Sequence, residues 1–203
     1  RPKEAENQAI ELIIRLCEEF KTVPCHIVHL ASGEAIESIQ KAQNRGVPIT
    51  VETTFHYISL TSEEIQNKQT HFKCCPPIRE SANREKLWDG LRKGVIQCVV
   101  SDHSPCPPEM KLPDQGDFLK AWGGISSLQL GLPILWSEAK KRGFGVNDVI
   151  QWTCVNTSKL MRLDHKKGKI QVGYDADLIV WNPDEEWVVT QDKFRVRHKT
   201  SPY

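Results

Sequence analysis

Two histidines and an aspartate stand where chemistry is done in parallel α/β proteins. His29 closes the apolar run Cys25-His26-Ile27-Val28-His29-Leu30. His56 lies two residues beyond the run Val47–Thr54, and Asp102 follows Val95–Ser101 directly. All three runs read as buried strands, and in parallel sheets ligands bind beyond the carboxyl ends of the strands. Imidazole nitrogen and carboxylate oxygen are suitable donors for Zn²⁺ or a similar divalent ion. A lone histidine at a strand end is more often structural or solvent-facing, and it is the repetition at successive ends that points to one centre. A carboxylate beside metal-bound water can also take the water's proton and pass it to a leaving group. That combination suits amide hydrolysis.

The other ionisable residues are weaker candidates. His26 is one strand position off the parity of His29, and His71 starts its run rather than ending it. His103 either contacts substrate or caps its loop. His165 and His198 have polar neighbours and read as solvated. Arg79 reads equally as an anion holder or as half of an ion pair. Cys74 and Cys75 are neighbours on an extended segment, so they point to opposite faces and rarely share one ion.

The elements that must position these residues alternate. Residues 4–21 carry a helical stripe that ends at Pro24, and a second helix runs from Ser32-Gly33-Glu34 to about Asn44, before Gly46. His71–Cys75 reads as a weak third strand stopped by Pro76-Pro77, followed by a helix over 82–93. A helix over about 126–142 contains Pro133, which predicts a kink or break. Short helices are expected near 146–152 and 156–162. Strands ending near 30, 54, 75 and 101, separated by helices, mean four βα units and a parallel sheet, either half of an eight-stranded barrel or a small doubly wound sheet. Residues 167–189 change character to short strands with Gly turns. No GxGxxG or GxxxxGK[ST] follows a strand, so nucleotide binding has no support.

Composition limits the function further. The 203 residues hold 27 Lys+Arg against 26 Asp+Glu, a net charge of +1. That balance removes the electrostatic case for nucleic-acid binding or a polybasic membrane surface. No apolar window is long enough for a transmembrane helix. The first residues lack a signal-peptide core and a starting Met, so the chain is expected to be processed or a fragment. Seven cysteines, an odd number without a CxxC pair, read as free thiols in a reducing, intracellular compartment.

Several stretches resemble one family. Val47–Tyr57 (with Glu-Thr-Thr-Phe-His), Cys74-Cys75-Pro76-Pro77-Ile78-Arg79, Val100–Cys106 and Ala121-Trp122-Gly123-Gly124-Ile125-Ser126-Ser127-Leu128-Gln129 are similar to allantoinases. Gly168–Trp181 resembles the terminal β-sandwich segment of the wider amidohydrolase superfamily. The resemblance implies an α/β chain: the second half of a TIM (β/α)8 barrel (strands 5–8) over 1–165, then part of a small β-sandwich over 166–203. It implies a binuclear, usually zinc, hydrolase that opens allantoin to allantoate, with His29, His56 and Asp102 as metal ligands and Asp102 as general base. Cys75, Pro77, His103, Trp122 and Gly123 would lie near the substrate. A homotetramer is the implied assembly, and the cytoplasm, peroxisome or mitochondrion the implied compartment. The family's His-x-His and carboxylated Lys are missing, so these 203 residues alone are expected to be inactive and poorly soluble. Dihydropyrimidinase or hydantoinase chemistry and a non-catalytic truncated paralogue are the alternatives.

Overall fold

The computed structural model describes residues 1–203. Three parallel strands, β1 (Cys25–Ile27), β2 (Ile49–Thr54) and β3 (Cys98–Val100), form a sheet in the order β1-β2-β3. The register pairs Cys25 with Ile49 and Glu52 with Cys98. Its last pair is Thr54 with Val100, so His56 and Asp102 each lie two residues beyond it in the chain. Alternation along β2 separates two faces. Ile49 and Val51 are buried in the core, whereas Thr50 and Glu52 on the opposite face are half-buried.

Helices cover the apolar face. On α1 (Lys3–Glu19), the stripe Ile10, Ile14 and Cys17 is buried, and on α2 (Ile36–Asn44) it is Ile36, Ile39 and Ala42. A 3-10 turn, Gly33–Ala35, leads into α2. The one-turn helix α3 (Phe55–Ser59) follows β2 without a loop. Helix α4 (Ser81–Arg92) buries Asn83, Leu87, Trp88 and Leu91. Trp88 stacks on Phe144 and meets Trp152 edge-on, and its indole N–H donates to Ile58 O at 3.0 Å. One core cluster of 28 buried residues runs through these elements.

Four expectations are corrected. His71–Cys75 is not a strand: residues Thr70–Phe72 form a 3-10 turn and Cys74–Pro76 run on without a ladder. The sheet therefore has three strands rather than four, with β3 paired directly to β2. The helix expected from 126 begins later, as α5 (Gly131–Lys141). Pro133 is then its third residue, where the missing N–H would have had no intrahelical partner, so the proline costs the helix no hydrogen bond. The two short helices are one run, α6 (Val146–Ile150), a π turn over Gln151–Val155, and α7 (Asn156–Leu160). Residues 166–203 contain no strand, only a 3-10 turn at Gln191–Lys193, so the β-sandwich segment is not formed. An alternating segment becomes a strand only against a partner, and Ile170, Val172, Val180 and Val188 are instead exposed.

Candidate functional site

His29 and Asp102 share an unusual backbone. Their φ angles are 40° and 41°, in the left-handed region that disfavours residues with a Cβ. Each costs about 1–3 kcal/mol and persists only where its surroundings over-determine it. For His29 the constraints are visible. Glu6 on α1 accepts the N–H groups of Ala31 and Ser32 at 2.8 and 2.9 Å. Asn83 on α4 accepts Gly33 N–H and donates to Ala31 O, both at 2.8 Å. From β2, Thr53 Oγ1 donates to Leu30 O at 2.8 Å, while Leu30 N–H donates to Glu52 O at the same distance.

Asp102 is fixed from the other side. His103 forms an isolated parallel bridge with Ile125. Ser104 Oγ donates to Asp102 O at 3.1 Å, and Ser127 Oγ donates to Ser101 O. Gly124 permits this lacing, because a Cβ there would lie 2.5 Å from Ser104 O. His103 Nδ1 accepts the N–H groups of Ser127 and Leu128 at 3.1 and 3.2 Å, so this histidine caps the loop.

His56 is held differently. Thr54 caps α3, its side chain accepting Tyr57 N–H at 3.4 Å, which sets His56 in the first turn. The imidazole is fully buried and neither ring nitrogen has a hydrogen-bond partner. Burial, then the neighbouring His29, pulls its pKa down to about 3, so the ring is neutral. Its Nε2 lies 4.0 Å from Asp102 Oδ2, too far for a hydrogen bond. Asp102 is part-exposed. Burial raises its pKa, His29 opposes that, and Glu52 adds to it.

His56 and Asp102 are neighbours, but the expected ligands do not close on a point: no group of three or more His, Cys, Asp or Glu side chains is gathered tightly enough to hold an ion. The donor chemistry nonetheless fits a divalent metal. A buried neutral imidazole with both nitrogens unpartnered is costly unless something binds it. The 4.0 Å between His56 Nε2 and Asp102 Oδ2 exceeds the roughly 3.3 Å that separates two donors on a tetrahedral ion with bonds of about 2.0–2.1 Å, so the pair stands near ligating distance without reaching it.

The expected substrate-side residues divide. Cys75 and Gly123 are neighbours: a Cβ on Gly123 would lie 3.1 Å from Cys75 Sγ. Cys75 is exposed, Trp122 is 47% exposed and Pro77 is half-buried. Cys74 is buried, and burial raises its pKa to about 12, an inert thiol. Arg79 forms an ion pair with Glu6 at 3.5 Å and donates to Arg1 O at 2.8 Å. His26 bonds Thr50 and Glu52 at 2.7 and 3.1 Å. Sequence reasoning missed Glu6, Asn83 and Lys111. Asn83 and Lys111 are polar residues that the fold buries, but only the partner positions, far away in sequence, give them meaning.

A parallel βα sheet with ionisable side chains gathered past its carboxyl edge is the layout of a TIM-barrel-type enzyme. The chain belongs to the amidohydrolase family, whose model matches residues 5–199. Over its whole length it is 47% identical to a protein named probable allantoinase 2 from Dictyostelium discoideum, covering 41% of that protein. It is 45% identical to the allantoinase of Saccharomyces cerevisiae, covering 44% of it. The L-hydantoinase (dihydropyrimidinase) from Arthrobacter aurescens superposes on all of the chain with a TM-score of 0.92 at 30% identity, over 45% of that chain. The chain therefore spans less than half the length of the curated relatives it matches. No helix is long and apolar enough to cross a membrane.

Proposed function

We propose that these residues form part of a metal-dependent hydrolase that opens the cyclic amide of allantoin to give allantoate. The observation that carries the reading is His56, a buried neutral imidazole with two unpartnered nitrogens, 4.0 Å from a carboxylate at the end of the next strand. The choice of substrate rests on identity: 45–47% to proteins named allantoinase against 30% to a hydantoinase.

His29 and His56 would supply imidazole nitrogens, and Asp102 a carboxylate oxygen. Zinc is the proposed metal, in a binuclear centre completed by groups from outside these residues. A bound divalent ion polarises a carbonyl and lowers the pKa of water toward about 7. Asp102, part-exposed and beside His56, accepts the proton of the attacking water and returns it to the leaving ring nitrogen. The carbonyl carbon gains the oxygen, the C–N bond breaks, and the ring opens. The Cys75–Pro77 and Trp122–Gly123 loops form the substrate wall. His103, its Nδ1 already engaged by Ser127 and Leu128, offers only Nε2 toward that side. In this reading residues 1–165 are strands and helices of a barrel's second half, and 166–203 a separate segment. The working assembly is a homotetramer inside the cell.

The test is made on the intact protein that carries these residues. Metal content is measured alongside allantoate formation, for the wild type and for His56→Ala and Asp102→Asn. We expect allantoin to be opened in preference to hydantoin or dihydrouracil, with both variants losing activity and His56→Ala losing metal. Preference for dihydrouracil would replace allantoinase by hydantoinase chemistry, and a metal-free, inactive wild type would sink the enzyme reading.

A further inference from the structure

The proposed chemistry leaves one buried cation unused. Lys111 is 4% exposed, and no carboxylate pairs with it. Its ammonium donates to three backbone carbonyls: Lys73 O at 3.0 Å, Trp122 O at 3.1 Å and Gly124 O. An ammonium has three donors, so its capacity is filled. Burial pulls the Lys111 pKa below its ordinary value. An apolar side chain would fill the same space without that desolvation cost. What the lysine adds is a common anchor for two loops.

A second lysine works from outside. Lys73 Nζ donates to Leu119 O at 3.1 Å and to Ala121 O at 2.6 Å. Backbone bonds add to this: Gly124 N–H donates to Lys73 O at 2.9 Å, and Trp122 N–H donates at 2.8 Å to Met110 O, on the turn that carries Lys111. The strip 119–124 is therefore tied to Lys73, on the segment that carries Cys75 and Pro77, and to the Lys111 turn, which itself holds Lys73 O. Those ties bring Gly123 against the Cys75 sulfur.

We propose that Lys111 and Lys73 form a carbonyl clamp that fixes the Trp122–Gly123 loop against the Cys75–Pro77 loop and so sets the substrate-side wall. Calling this wall the substrate side rests on the function proposed above. The lysines are positioning residues: they touch backbone oxygens, and they act on substrate through Trp122 and Gly123.

The experiment compares Lys111→Met, Lys111→Arg and Lys73→Met in the intact protein, reading amide hydrogen exchange and the kinetics of allantoin opening. In Lys111→Met, exchange at the Trp122 and Gly124 amides should rise about tenfold, the factor carried by one lost hydrogen bond, while Val99 in β3 stays protected. KM should rise by a similar factor with a much smaller change in kcat, because a loosened wall weakens binding before it touches the reacting atoms. Lys111→Arg, which keeps the charge and the donors, should recover part of both effects. Unchanged exchange at Trp122 and Gly124 in folded Lys111→Met overturns the clamp, as does a fall in kcat at constant KM. If Lys111→Met does not fold, Lys73→Met on the exposed side decides: faster exchange at Ala121 with a raised KM supports the clamp, and wild-type values for both overturn it. Loosened amides in a protein whose wild type ignores allantoin would leave the clamp standing and remove the allantoin reading.

Discussion

Replacing Asn83 by Ala should loosen the site from a distance. Asn83 is 2% exposed on α4, and its amide makes two bonds of 2.8 Å, accepting from Gly33 N–H and donating to Ala31 O. Ala31 and Gly33 are themselves buried, so water does not readily take over. The substitution leaves one donor and one acceptor unpaired at roughly 1–3 kcal/mol each, about 2–6 kcal/mol together. We expect the lower half of that range, because Glu6 still holds the N–H groups of Ala31 and Ser32. The effect should reach the metal. His29 sits two residues before Ala31 in a left-handed conformation that only such constraints maintain. Supporting contacts of this kind are worth roughly 10- to 100-fold in metal affinity. Urea unfolding of the metal-free intact protein measures the first effect, and competition titration with zinc the second. A loss below about 1 kcal/mol together with wild-type zinc affinity would refute the reasoning, because it would show that the bend at His29 needs no support from α4.

Three further outcomes follow from the packing. His56→Leu swaps side chains of similar volume and removes two unpartnered buried nitrogens. The metal-free variant should therefore be as stable as the metal-free wild type within about 1 kcal/mol while metal binding falls, and a larger loss on thermal unfolding would mean the ring has a protein partner. Gly131→Ala places a Cβ 2.2 Å from Phe55 Cε2 at the start of α3, so it should cost about 1–3 kcal/mol by overpacking. Wild-type stability for that variant would show that α3 can shift freely. For Glu138, burial resists ionisation, but hydrogen bonds from Lys141 and Arg142 outweigh it and the pKa is lowered. The ion-pair contribution is then full above the ordinary value of 4.5 and lost as pH falls through the lowered one. Urea midpoints from pH 7 to pH 3 should show Glu138→Gln less stable at neutral pH, with the gap closing below pH 4.5; a constant gap would contradict the assignment.

Local pattern made the three real strands legible. Cys25–Ile27, Ile49–Thr54 and Cys98–Val100 lie inside β-branched runs, and the stripes of α1, α2 and α4 follow the helical period. The fourth expected strand failed for a reason outside its own residues. The carbonyl of Lys73 is claimed by Lys111 and Gly124, and Thr70–Phe72 curls into a 3-10 turn before the prolines. The segment 167–189 failed similarly. Its alternation asks for a neighbouring strand, and Val172 and Val180 remain fully exposed.

By itself the sequence determined which side chains could do chemistry and roughly where each stands along the chain. His29, His56 and Asp102 follow apolar runs, and residue type at a strand end is a local property. Tertiary structure decided what those residues are like. Only folding removes His56 from water and from every partner, brings the Asp102 carboxylate within 4.0 Å of its Nε2, and holds two of the three in a backbone conformation they would not adopt alone. The partners that enforce this are 22 to 52 residues away for the His29 loop and 38 residues away for the Lys73–Lys111 tie. Buried hydrogen bonds are specified by pairs of positions, and a pair separated by two or three elements leaves no periodic trace in either segment.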